Sequence, residues 1–388
     1  MKHDILAGAD VLLADPALLR RLASFSSVGL VTNPTGITKA AVPLYEELIS
    51  RGCCSLAALF SPEHGVRGDR QAGAVVDEYR DEATGLPVYS TYGPGKARAE
   101  EAISSLGCLL FDIQDIGSRY YTYQYTMTDC MKTAASHGVP VWVLDRPPMI
   151  GCEAQGNLLD RAFSSGVGRF PLPARTGMTI GELAAYLNDA EGIGADLTVV
   201  PCRGAAREMF FDEGDLPFVC PSPNLPSPDC ALIYVGTCLF EGTSISEGRG
   251  TTKPFEQFGA PWLDSAGLRR ELTVLADRGI LPGCLFRETA FTPTFSKYAG
   301  ELCRGIQIHV TDRRSFRPFD TGVYALSLIR RRHPDSAVLQ SFLPLLFGSD
   351  AIRREDFDPA AYLPTPEGPL AEYREKTAPY RLYPERFQ

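Results

Sequence analysis

Long uninterrupted apolar runs are missing from this chain, and no segment approaches the length that a membrane-spanning helix requires. The N-terminal stretch Met1 to Asp10 also lacks the apolar region of a secretory signal, because Asp4 and Asp10 interrupt it. The expectation is a cytoplasmic protein. Clustered basic residues are missing too: with a net charge of −9 and no basic block to offset it, nothing in the chain invites nucleic acid or an anionic membrane. Eleven cysteines are present but none stands in a Cys-x-x-Cys spacing, so neither a zinc site nor a disulfide framework is signalled. The five histidines form no His-Glu-x-x-His pattern, which disfavours a metal hydrolase. After the first strand, Thr32-Asn33-Pro34-Thr35-Gly36 stands where a dinucleotide-binding glycine fingerprint would be, and Gly93-Pro94-Gly95 is too short to replace it. No cofactor is expected, and no internal repeat or low-complexity tract is evident.

What is present is an ordinary globular composition, 44% hydrophobic and 22% charged over 388 residues, enough for two domains or one elaborated domain. Residues 1–26 carry leucines at near-helical spacing and predict a helical lead-in. Ser27–Thr32 predicts a buried strand ending in the turn residues Asn33 to Gly36, followed by a helix over Lys39–Arg51. Further strands are expected at Ser55–Phe60, Pro87–Thr91, Cys108–Phe111, Pro140–Leu144 and Ala195–Val200, with helical stretches between most of them. Thr179 and Glu182 form a capping box at the start of a helix running through Asn188. Strands alternating with helices imply parallel pairing, hence an α/β, Rossmann-like, doubly wound sheet. A second, smaller α+β domain is expected to follow, with a division into residues 1–215 and 216–388.

Sheets of this kind bind ligands beyond the carboxyl ends of their strands. Reading those ends gives Asn33; Glu63 and His64; Tyr92; Asp112, Gln114, Asp115 and Arg119; and Asp145 with Arg146. Glu63-His64 sits between Pro62, which stops the strand, and Gly65, a placement suited to a proton donor at a sheet edge. Asp112 and Asp115 lie three apart and either face one ligand together or cap the tyrosine-rich helix expected over Tyr120–Ser136. Its tyrosines either stack on a sugar ring or simply pack. In the second half, Cys220–Pro228 reads as a rigid, proline-fixed wall or linker, and Glu241–Lys253 as a held polar loop containing Glu247 and Arg249.

The motifs Leu30-Val31-Thr32-Asn33, Ser61-Pro62-Glu63-His64-Gly65, Phe111-Asp112-Ile113-Gln114-Asp115, Leu144-Asp145-Arg146-Pro147, Pro221-Ser222-Pro223-Asn224 and Ser246-Glu247-Gly248-Arg249-Gly250-Thr251 occur together and in this order. In this the chain resembles the exo-acting β-N-acetylmuramidases of the NamZ type, from about residue 5 to its end. The resemblance implies a Rossmann-like N-terminal domain, a smaller C-terminal domain, and a cleft between them that takes a muramic-acid-containing saccharide at its non-reducing end. It implies Glu63 as the catalytic glutamate. Relatives commonly have an aromatic residue after His-Gly where this chain has Val66. Glycoside cleavage ordinarily uses two carboxyl groups. Glu63 is taken as the acid, with His64 beside it; Asp112, Asp115, Glu247 or the substrate's own N-acetyl group is the second participant. Arg249, Arg119 and Arg146 are the options for the lactyl carboxylate, and Asn33 and Asn224 are further binding candidates. A sugar-binding protein without turnover is the rival reading.

Overall fold

The computed structural model describes residues 2–62, 65–67, 78–363 and 368–387. The helical lead-in is two helices, α1 (Gly8–Ala14) and α2 (Pro16–Ala23). They are separated because Asp15 turns extended and its carboxylate accepts from the Ala17 N–H at 2.8 Å, while Pro16 takes the first helical position. Strand β1 (Val28–Thr32) is wholly buried. Helix α3 (Leu44–Arg51) starts later than the expected Lys39, because Ala41 adopts a left-handed φ of 60° and Pro43 opens the helix. Then follow β2 (Leu56–Ser61), β3 (Tyr79–Arg80), β4 (Pro87–Ser90), α4 (Lys96–Ser104), β5 (Cys108–Asp112), α5 (Tyr123–Ser136) and β6 (Val141–Leu144).

The next stretch, for which the sequence signals no strand, contains a hairpin of β7 (Ala154–Leu158) and β8 (Pro173–Thr176). After it come α6 (Ile180–Ala190) and β9 (Leu197–Val200). The expected capping box is formed: the Thr179 hydroxyl accepts from the Glu182 N–H, and the Glu182 carboxylate accepts from the Thr179 N–H at 3.2 Å.

Seven strands form one sheet in the order β3-β4-β2-β1-β5-β6-β9, parallel except for the edge strand β3. From β1 the chain winds outward through β2 to β4, then crosses to the other side of β1 for β5, β6 and β9. That is the strand order of a Rossmann sheet, and its winding reverses between β1 and β5. Thr32 pairs with Asp112 across that boundary, so Asn33 and the Asp112–Asp115 loop emerge side by side.

The second region contains α7 (Pro228–Thr237), β10 (Gln257–Ala260), α8 (Ser265–Asp277), β11 (Cys284–Phe291), β12 (Cys303–Val310) and α9 (Pro318–Arg332). Its three strands form an antiparallel sheet, β10-β12-β11. Helices α7 and α9 touch backbone to backbone at Gly236 and Gly322, where a Cβ on either glycine would overlap the other helix. Short helices α10 (Leu343–Phe347) and α11 (Pro359–Tyr362) precede α12 (Pro369–Thr377). The end of the chain returns to the first region: Leu370 and Tyr373 pack with Leu183 and Leu187 of α6, and Arg207 donates its N–H to the Pro384 carbonyl at 2.9 Å. Among the described residues no helix is long and apolar enough to cross a membrane.

Candidate active site

The carboxyl ends of β1, β2 and β5 carry buried polar groups that have no partner among the described residues. Asn33 accepts at Oδ1 from both the N–H (2.9 Å) and the hydroxyl (2.5 Å) of Thr35, which orients its amide and leaves Nδ2 buried without an acceptor among the described residues. The same Thr35 hydroxyl accepts from the Gln114 N–H at 2.9 Å, locking the two loops together across the crossover. Gln114 donates through Nε2 to the carbonyls of Asp115 (2.8 Å) and Pro147 (3.0 Å), and its Oε1 has no partner among the described residues. The Ser61 hydroxyl, at the end of β2, is likewise buried without a partner among the described residues. Buried polar groups are nearly always satisfied, so a group of such atoms is a place where water or a ligand completes the pairing.

Asp115 belongs to this set. One carboxylate oxygen accepts from the Gly117 N–H at 2.7 Å, a turn that needs the left-handed φ of 75° at Gly117. The other oxygen is buried with no partner among the described residues. Burial pushes this carboxyl group up to about 7, the Gly117 N–H opposing the shift.

Several sequence-expected residues are committed elsewhere. Asp112 is fully buried and takes a bidentate pair from Arg146, with Nε to Oδ1 and Nη2 to Oδ2 both at 2.7 Å. Asp112, expected as catalytic, and Arg146, expected as a substrate ligand, are thus matched to each other within the fold. Neither Asp112 nor Asp115 caps α5, whose N-cap is Thr122. Arg119, expected as a substrate ligand, is fully buried and donates to the carbonyls of Asn157, Leu172, Leu346 and Phe347 at 2.7–3.1 Å, tying the β7–β8 hairpin to α10. Asp145 accepts from the Thr179 hydroxyl (2.7 Å), the Gly181 N–H (2.8 Å) and the Tyr383 hydroxyl, and so anchors α6 and the chain end.

Near the start of α5 a cleft of about 160 Å³ is lined by Tyr121, Tyr123, Asn224, Tyr234, Arg249 and Phe255, bringing both halves of the chain together. Tyr123 donates to the Pro221 carbonyl at 2.9 Å and holds the proline-rich segment, with Asn224, against α5. The tyrosines are buried and pack: Tyr121 and Tyr234 meet edge to face, as do Tyr234 and Phe255. Arg249 lies over the Phe255 ring at 5.0 Å and donates through Nε and Nη2 to Glu241 at 2.9 and 2.5 Å. Its Nη1 makes no hydrogen bond among the described residues. Glu247 is buried between Lys297 at 2.9 Å and Arg249 at 3.5 Å. It is a charge partner that steadies Arg249 rather than a free carboxylate.

Glu63 and His64 lie outside the described residues. On one side of them Ser61 ends β2, and on the other Val66 is buried among Leu59, Val88 and Leu44 in the core, so at this position the chain presents no side chain to a sugar. Among the described residues no group of three or more His, Cys, Asp or Glu is arranged to hold a metal ion. Sequence reasoning singled out Asn33 and Gln114 as strand-end residues; it passed over Ser61, for which position at the end of a buried strand was the available signal.

Comparison with known proteins gives one consistent result. Sequence models of the exo-β-N-acetylmuramidase NamZ match in two parts, the N-terminal model over residues 28–229 and the C-terminal model over residues 232–383. The peptidoglycan β-N-acetylmuramidase NamZ of Bacillus subtilis is 46% identical over 335 residues, 86% of this chain and 79% of that protein. Two DUF1343 family proteins of Bacteroides fragilis have similar crystal structures: one at TM-score 0.88 and 31% identity, the other at 0.78 and 28%, each alignment covering 99% of this chain and 100% of the other. The chain belongs to the NamZ family of exo-β-N-acetylmuramidases.

Proposed function

We propose that this protein is an exo-β-N-acetylmuramidase, a glycosidase that removes N-acetylmuramic acid from the non-reducing end of peptidoglycan-derived saccharides. The observation that carries the reading is the Asp115 carboxyl group, buried at the sheet crossover with one oxygen unmatched among the described residues, in a chain that belongs to the NamZ family. Of the three acids that stood as candidates to partner Glu63, Asp112 is closed off by Arg146 and Glu247 by Lys297 and Arg249, which leaves Asp115. Glu63 protonates the departing glycosidic oxygen, while Asp115 in its ionised form supports the developing positive charge at the sugar carbon or activates the attacking group. The unmatched Asn33 Nδ2 and Gln114 Oε1 supply one donor and one acceptor for sugar hydroxyls or the acetamido group. Arg249, through its unoccupied Nη1, together with Asn224 receives the lactyl carboxylate. Such a local cation is what an acidic protein needs to attract an anionic sugar. All eleven cysteines are free thiols, which fits a reducing compartment, and we place the enzyme in the cytoplasm, acting on muramic-acid saccharides brought into the cell.

The test is release of N-acetylmuramic acid from the disaccharide MurNAc-GlcNAc and from a chromogenic muramide. Glu63→Gln is expected to lose the disaccharide reaction by about a hundredfold or more and to spare part of the activated one, because a good leaving group needs less acid help. Asp115→Asn is expected to lose both. Binding without turnover by the unaltered protein would reject the glycosidase reading in favour of a sugar-binding protein.

A further inference from the structure

A second cavity, of about 450 Å³, lies between the β7–β8 hairpin, the segment around Arg207 and helix α12, and the residues proposed above for catalysis and substrate binding do not line it. Arg175, from β8, is at its wall. The side chain is 2% exposed, and its Nη2 donates to the Ile150 carbonyl, yet Nε and Nη1 have no acceptor among the described residues. The nearest acid, Glu153, is half exposed and stands 3.5 Å from Nη1 without forming a hydrogen bond. A guanidinium stays charged at any physiological pH, so burying it with open donors is unfavourable unless an acceptor arrives. The other arginines of the wall have settled partners. Arg207 donates to Glu182 and to the Gly177 carbonyl at 2.6 Å, and Arg374 to the Ala154 carbonyl at 2.9 Å. Arg314 pairs with Glu213 at 3.0 Å and Arg381 with Glu385 at 3.2 Å, so among the described residues Arg175 is the wall arginine with buried, open donors.

We propose that this cavity is a second binding site, for a small molecule carrying an oxyanion group, a carboxylate or a phosphate monoester, that accepts from the unmatched donors of Arg175. The cavity has room for more than the anion alone. Tyr373, whose hydroxyl donates to the Thr176 carbonyl at 2.8 Å, presents part of the surface for the rest of the ligand.

Calorimetric titration of the full chain with inorganic phosphate, and separately with malonate, tests the proposal without reference to turnover. At least one of the two is expected to bind the unaltered protein; phosphate alone would mark a phosphate-ester site and malonate alone a carboxylate site. Binding is expected to weaken by about tenfold or more in Arg175→Gln. It should strengthen in Glu153→Gln, where the competing carboxylate is gone. If Arg175→Gln does not fold, Arg374→Gln at the same wall takes its place, with weaker binding expected. Absence of binding of both anions at millimolar concentration would overturn the proposal, and so would binding that neither the arginine nor the Glu153 substitution alters.

Discussion

Asp112 and Asp115 carry the same side chain on the same loop, and their neighbours make them chemically different. Asp112 faces a guanidinium in bidentate contact, so its charge is matched inside the fold. Asp115 has one N–H and a second oxygen with no partner among the described residues, and burial pushes its carboxyl up to about 7. That folded value lies above the ordinary aspartate value of 3.8, so the group's contribution to stability is fully present below about pH 3.8 and is lost as the pH rises through about 7. Asp115→Asn is therefore expected to stabilise the protein by roughly 2–4 kcal/mol at pH 8 and to change little at pH 4, measured by urea unfolding at both values. An equal gain at both would show that the carboxyl is not ionising in a buried place. At the other side of the site, Arg249→Ala is expected to raise KM for the MurNAc disaccharide by about tenfold to a hundredfold with a smaller effect on kcat, since it removes one charge-assisted contact to the substrate. A loss confined to kcat would assign Arg249 to the chemistry instead.

At the scale of elements, α6 is the clearest case of local sequence and tertiary contact acting through one residue. Thr179 accepts from the Glu182 N–H as a helix cap, and its hydroxyl donates to Asp145 at the end of β6. Thr179→Ala removes both, and a loss of about 1–3 kcal/mol in unfolding free energy is expected. A loss under about 0.5 kcal/mol would mean that water replaces the hydroxyl at Asp145. The six parallel strands of the main sheet were legible within a residue or two, because a parallel strand buried on both faces is a short continuous apolar run, as Cys108–Phe111 is; the two-residue, exposed antiparallel edge strand β3 was not. The β7–β8 hairpin was not: Ala-Gln-Gly-Asn-Leu has neither an apolar run nor alternation, and its place is set by Arg119 reaching through it to α10. Helix α7 was not legible either, since all its residues from Cys230 to Thr237 are buried and no polar face reveals a helical period.

For the molecule as a whole, the end of the chain acts as a strap over the first region. Tyr383 donates to Asp145 and accepts from the Cys202 N–H at 3.0 Å, joining residues that are 238 and 181 positions away. Tyr383→Phe is expected to lower stability by about 1.5–3 kcal/mol, because a buried carboxylate loses a donor, with a lower Tm by calorimetry as the readout. An unchanged Tm would make the tail a surface wrapping only. By itself the sequence determined the parallel strands, the crossover and the group of polar residues that collects there, because apolar runs and turn residues act between neighbours in the chain. Tertiary structure alone decided which carboxyl oxygen and which arginine donors are buried without a partner among the described residues, and where the tail returns. Those outcomes depend on desolvation and charge pairing between residues far apart, as between Asp112 and Arg146, and no local pattern records them.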